Sequence, residues 1–206
     1  MKIGMIVEGN SGGADEKVYN YLARQIQTDI QVVSRALDNK PRLIERCGVA
    51  AKALLEVNNC EKVIIIWDHY PAWRSRGERP CIVEDCNFIR NSLSEAGLTP
   101  QQLQRVHLVC IKHELETLLL ADKQAIKKYL VSIKNRPCQV NLRHPENYTD
   151  PKIPLNNLFH QHIYRSYQGW LDAEKIIKLA RIEELWRCSS FERFADKVAG
   201  ITRRRP

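Results

Sequence analysis

The sequence predicts an α/β fold, a mostly parallel sheet flanked by helices, with a helical C-terminal part. Three observations predict it. Strand-like and helix-like segments alternate through the first half. One strand-like run, Val63-Ile64-Ile65-Ile66-Trp67, is apolar throughout, as strands buried on both faces of a parallel sheet are. After His113 only helical patterns remain.

In chain order, Lys2–Val7 is a short apolar run and reads as the first strand. Ala14–Gln27 places Val18, Tyr21, Leu22 and Ile26 on one helical face. Ile30–Arg35 is the second strand. Arg42–Val57 is helical, its stripe formed by Leu43, Cys47, Ala50, Ala51, Leu54 and Leu55. Lys62–Trp67 is the third strand, Glu84–Ala96 a helix closed by Gly97, and Arg105–Lys112 the fourth strand. Strands that alternate with helices in this order are joined by crossovers, which makes the sheet parallel. Beyond His113 the helical segments are Leu115–Leu130, Pro154–Tyr167, Ala173–Leu179 and Phe191–Val198, with a polar, proline-bearing stretch at Asn135–Pro151. The expected division is an α/β core over residues 1–112 and a helical part over 113–206 packed on it as one unit.

Composition excludes several classes. Of 206 residues, 44% are hydrophobic and 27% charged, which is ordinary for a globular soluble protein. Nothing approaches the ~20 consecutive apolar residues of a membrane span. The opening MKIGMIVEGN meets a carboxylate too early for a signal peptide. The seven cysteines are scattered. The closest pair, Cys81 and Cys86, is followed by no second pair at zinc-finger spacing, so reduced structural thiols and a cytoplasmic location are expected. The formal charge of +8 is uneven: residues 1–112 carry 15 basic and 13 acidic side chains, residues 113–206 carry 17 and 11. A basic half suits a polyanionic partner, although a solvated helical surface has the same composition.

Parallel sheets place binding groups just beyond the carboxyl ends of their strands. Glu8 ends the first strand and Asp68 the third; the fourth runs into His113-Glu114-Leu115-Glu116. If the chain is still extended there, Glu114 and Glu116 share a face. Carboxylates gathered at one edge repel each other unless a cation neutralises them, and hard oxygen donors suit Mg²⁺ or Mn²⁺. Lys112 and Lys152 are candidate phosphate contacts. Arg74, Arg76 and Arg79 follow Asp68 closely and either give a phosphate-backbone channel its charge or belong to a solvated loop. Trp67, Tyr70 and Trp73 either stack on a base or pack the loop. Asp122 is expected to cap the helix after it. His69, His113, His144, His160 and His162 are expected to be structural or exposed. The glycine-rich turn Gly9–Gly13 spells neither a dinucleotide nor a Walker loop, which argues against a nucleotide-dependent small-molecule enzyme.

The order of IVEG, a helix, and later IIIWD at a strand end resembles the Toprim fold of topoisomerases, primases and OLD-type (overcoming lysogenisation defect) nucleases. A closer resemblance is to small Toprim-like bacterial proteins often encoded beside ABC-type ATPases in phage-defence loci. KHELETLLLAD at Lys112–Asp122, DPK at Asp150–Lys152, Tyr164 and CSSFERF at Cys188–Phe194 carry that match across nearly the whole chain. The resemblance implies that Glu8 is the Toprim glutamate, a metal ligand or general acid/base, and that Asp68 is the first aspartate of the D-x-D pair. The second aspartate is replaced by Tyr70, which removes one ligand; Glu114 or Glu116 would substitute if that segment folds over the strand ends. Asp15 resembles the acid that follows VEG, at a spacing lengthened by the NSGG insert. The implied activity is Mg²⁺- or Mn²⁺-dependent phosphodiester cleavage with Glu8, Asp68 and Lys152 catalytic, nucleic acid as substrate and an ABC-type ATPase as partner. The competing expectation, which Tyr70 favours, is a catalytically decayed subunit that binds nucleic acid or the ATPase.

Overall fold

The computed structural model describes residues 1–70 and 80–200. Four strands, β1 (Lys2–Val7), β2 (Gln31–Ala36), β3 (Lys62–Asp68) and β4 (Val106–Ile111), form one all-parallel sheet in the order β2-β1-β3-β4. Helix α1 (Ala14–Ile26) leads from β1 to β2, and α2 (Lys40–Glu56) leads back across to β3 on the far side of β1. The two crossovers run in opposite directions along the sheet. Being right-handed, such connections lay their helices on opposite faces. Helices α3 (Ile82–Glu95) and α4 (Pro100–Leu103) then precede β4.

Side-chain alternation along the strands divides the core accordingly. Ile6, Val63, Ile65, Trp67 and Cys110 pack with Leu43, Cys47, Ala51 and Leu54 of α2 and with Ile89 and Leu93 of α3. Ile3, Met5, Val7, Ile64, Ile66, Val109 and Ile111 take the other face and are equally buried. That face belongs with α1, whose Tyr19 ring lies 5.5 Å from Phe194 in the last helix, α10 (Ser189–Ala199).

Contacts group the chain into two units, Met1–Ile111 with residues from Arg193 onward, and Lys112–Glu192. In chain order the second is thus an insertion in the first. It contains α5 (Glu116–Leu119), α6 (Lys123–Lys134), a 3₁₀ turn at Pro145–Asn147, α7 (Lys152–Ile163), α8 (Gly169–Leu179) and α9 (Ile182–Leu185). The single helix expected over Leu115–Leu130 is two. Asp122 breaks it by capping α6, its Oδ1 accepting the amides of Gln124 at 2.9 Å and Ala125 at 3.4 Å. The four-residue helices α4 and α9 are too short to show a periodic signal. Cys47, Cys60, Cys110, Cys138 and Cys188 are buried free thiols, and burial pushes Cys110 and Cys188 up to about 12. Protonated at neutral pH, those two are packing groups.

Helices α2 and α3 cross at Gly48, whose amide donates to Ser92 Oγ at 3.2 Å. A Cβ at residue 48 would lie 2.0 Å from the Ser92 carbonyl oxygen, a backbone atom that cannot swing aside. Gly48→Ala is expected to force the helices apart and cost about 1–3 kcal/mol. A urea midpoint equal to that of the native protein would show that this crossing is loose.

Candidate functional site

In a sheet of order 2-1-3-4 the chain reverses direction between β1 and β3, and ligands bind in the crevice outside the carboxyl ends at such a switch point. Glu8 and Asp68 stand on the two strands that flank it. Their closeness is direct: Glu8 Oε2 accepts the Asp68 amide at 3.3 Å. Both side chains are half-buried. The turn after Glu8 is built for proximity. Gly9 has φ +95°, and a Cβ there would meet Asp15 Oδ2 at 2.8 Å, so Asp15 closes on the back of the turn against bare backbone. Glu16, next in line, is occupied structurally: Oε2 accepts the Gly12 amide at 2.6 Å, and Oε1 accepts the Ser34 hydroxyl.

The end of β3 rests on a buried ion pair. Lys40, at the start of α2, places Nζ 2.8 Å from Asp85 Oδ2, with both side chains 2% exposed. The same ammonium donates to the His69 carbonyl at 3.0 Å, one residue beyond Asp68. Trp67 Nε1 donates to Asp85 Oδ2 at 3.1 Å. Trp67 is therefore core and is not presented to a base. Tyr70 is exposed and meets the His69 ring edge-on at 4.9 Å. Arg74, Arg76, Arg79 and Trp73 lie outside the described residues.

The second unit assembles its own polar cluster. The chain does not stay extended after β4: His113 takes φ +68° and turns it, so Glu116 opens α5 and the shared face expected for Glu114 and Glu116 is not formed by a strand. Lys152 reunites them, with Nζ 2.7 Å from Glu114 Oε2 and 3.9 Å from Glu116 Oε2. Glu116 is buried, which raises its pKa, against the opposing pull of Lys152 and a hydrogen bond with Tyr167. Glu146 is the second hub. Its Oε1 accepts the amide and hydroxyl of Ser189 at 2.6 and 2.7 Å, and its Oε2 lies 3.5 Å from Lys112 Nζ. His113 Nε2 is 3.4 Å from the Glu146 carbonyl, and the Lys112 amide donates to Ser190 Oγ at 2.7 Å. The segments 112–116, 146–152 and 188–190 thus meet in one network. Ser189 and Ser190 lie in the CSSFERF motif, whereas no sequence signal marks Glu146.

His160 Nε2 lies 3.0 Å from Ser166 Oγ and His162 Nε2 3.1 Å from the Gln139 carbonyl, local partners that fit a structural role. Among the described residues no group of three or more His, Cys, Asp or Glu is arranged to hold a metal ion. A two-carboxylate scaffold, Glu8 with Asp68, fits the chemistry of Mg²⁺ or Mn²⁺, which take one or two protein carboxylates and fill their remaining positions with water and phosphate. The second carboxylate pair, Glu114 and Glu116, already faces the Lys152 ammonium.

Fold and site define a parallel α/β protein, covered on both faces, with acidic groups at its topological switch point. The chain belongs to the DUF4276 family, a domain of unknown function, which matches residues 7–199. A comparison with curated proteins finds no match. Among the described residues, no helix is long and apolar enough to cross a membrane.

Two outcomes are expected from this geometry. Lys40→Met strands the Asp85 carboxylate in the core and should cost about 3–5 kcal/mol, whereas Lys40→Met combined with Asp85→Leu should recover most of it. Equal urea midpoints for the single and double variants would contradict that account. The second concerns pH. Burial raises the pKa of Asp122, Glu146 and Asp172, but hydrogen bonds outweigh it: from Arg181 and Gln124 to Asp122, from Ser189 to Glu146, and from Arg165, Tyr129 and Gln168 to Asp172. All three end below their ordinary values. Their stabilisation is fully present above the unfolded pKa, about 4, and is lost as pH falls through the folded values. Thermal melts should therefore show an acid limb below about pH 4, less steep in Asp172→Asn; an unchanged slope would remove Asp172 from the cause.

Proposed function

We propose that this chain is a Mg²⁺- or Mn²⁺-dependent phosphodiester-processing protein, a nuclease, whose cation is held by Glu8 and Asp68. The observation that carries the reading is the Glu8 carboxylate lying over the end of β3, 3.3 Å from the Asp68 amide, at the sheet's switch point. Bound there, a divalent cation would supply charge to the phosphate and activate a water. The amide of Asp68 fixes the orientation of the Glu8 carboxylate, and the Lys40–Asp85 pair beneath it fixes the strand end that carries Asp68. Lys152 is half-exposed on Glu114 and is a point charge for which a phosphate would compete. Nucleic acid as substrate is supported by the net charge of +8, with Lys112, Arg74, Arg76 and Arg79 as its contacts. The resemblance to Toprim-like defence proteins supports phage defence beside an ABC-type ATPase, and a cytoplasmic location.

One observation favours a second reading. Tyr70 stands where a third acidic ligand is expected, which suits a decayed subunit that binds nucleic acid or an ATPase without cutting. Calorimetric titration of Mn²⁺ into the native, Glu8→Gln and Asp68→Asn proteins separates the two. The nuclease reading expects one site in the native protein, weakened at least about tenfold by either substitution, and metal-dependent cleavage lost in both. A folded native protein that binds no Mn²⁺ and cuts nothing would leave the subunit reading standing.

A further inference from the structure

The outer edge of β4 lies apart from the acids at the strand ends. β4 is the last strand in the sheet. The Val63 amide donates to the Arg105 carbonyl and the His69 amide to the Ile111 carbonyl, both at 2.9 Å. With that register the odd-numbered residues of β4 bond to β3, and Val106, Leu108 and Cys110 turn their backbone groups outward. At Cys110 the edge is closed, because Arg193 Nη2 donates to its carbonyl at 3.1 Å. At Val106 and Leu108, among the described residues, no backbone partner takes the outward groups.

A groove of about 520 Å³ runs along this open part of the edge. Leu93, Leu103, Val106 and Leu108 supply apolar surface, and Arg90, His107 and Lys197 supply basic groups; among the described residues, no carboxylate lines it. Unpaired strand edges are templates for another strand, and proteins that leave one unpaired commonly protect it with charge or a bulge. Here the edge is flanked by cations on both sides: Arg90 comes from α3, and Lys197 from α10. Apolar side-chain pockets next to free backbone donors and acceptors are what an extended peptide needs for strand addition.

We propose that the β4 edge binds an extended, acidic segment of a partner protein, which adds to the sheet as a fifth strand and sets its carboxylates against Arg90 and Lys197. Charge decides the occupant. A second copy of this chain would bring the same cations against their equals, and a nucleic-acid strand would match the charge but leave the outward amides and the apolar floor unused. The site lies at the amino end of β4, three to five residues before the level of Asp68, which is roughly 10–17 Å along the strands. It would let a partner dock without covering Glu8 and Asp68. His107 adds a pH signature: burial together with Lys197 and Lys62 lowers its pKa, and bound carboxylates would draw a proton onto it, so binding tightens as pH falls.

The test is fluorescence anisotropy with a labelled eight-residue peptide of alternating glutamate and valine, beside the same peptide with lysine for glutamate and an oligothymidylate of equal charge. The glutamate peptide should bind, the lysine peptide should not, and Arg90→Glu or Lys197→Glu should each weaken binding at least about tenfold. Val106→Pro removes one outward amide at the first residue of the strand, where proline is tolerated, and should also abolish binding in a protein whose circular dichroism is unchanged. Charge-reversed variants that bind the glutamate peptide as the native protein does would overturn the proposal. So would absence of binding by that peptide, or an oligothymidylate that displaces it and is itself lost in Val106→Pro. A concentration-dependent dimer dissolved by Val106→Pro would assign the edge to a second copy instead.

Discussion

The Lys40 ammonium sits where three parts of the first unit have to agree. It joins the first turn of α2 to Asp85 in α3, and through the His69 carbonyl to the chain just past β3. Trp67 completes the arrangement by donating to the same carboxylate from within β3. A buried lysine is costly unless its charge is matched and its protons are bonded. Both conditions are met only when the two helices and the strand end hold one relative position. The position of Asp68, and of the Glu8 carboxylate that accepts its amide, follows from that requirement.

The acids at the switch point are therefore held by neutral geometry and compensated charge, without crowding carboxylates together. Glu16 is diverted to the Gly12 amide and Ser34, and Asp15 is drawn against Gly9. Among the described residues, Glu8 and Asp68 are the oxygen donors at the reversal of strand order. The proposed Mg²⁺ or Mn²⁺ would retain most of its water there, and the proposed substrate would complete the coordination. The second unit handles its acids differently. Glu114 and Glu116 share one lysine, while Glu146 takes hydrogen bonds from a serine amide and hydroxyl across more than forty residues of chain.

Much of the first unit could be read from local pattern. The apolar run before Asp68, the stripe of α2 and the short strand before Glu8 each carry their own periodicity, so their ends, and the acids at those ends, could be placed. Asp122 was legible as a cap because capping is a three-residue event. What escaped reading is non-local. Nothing near Lys40 announces Asp85, nothing near Glu146 announces Ser189, and the turn at His113 depends on a left-handed conformation that few non-glycine residues adopt. The return of residues after Arg193 to the first unit was hidden for the same reason: Phe194 reads as part of a helical stripe, and only the folded chain shows that Tyr19 lies beside it.

That return has a consequence for how the chain is made. β1 leaves the ribosome before β3, one of its two neighbours, which begins at Lys62, and Phe194 comes more than a hundred residues after that. Tyr19, in the helix assigned to the face of Ile3, Met5 and Ile64, has no Phe194 ring beside it while the whole second unit is being synthesised. An unfinished sheet with an apolar face is a target for chaperones and for aggregation. The first unit closes last, when its final helix arrives, and a nascent chain stalled within the second unit would display that face to the cell.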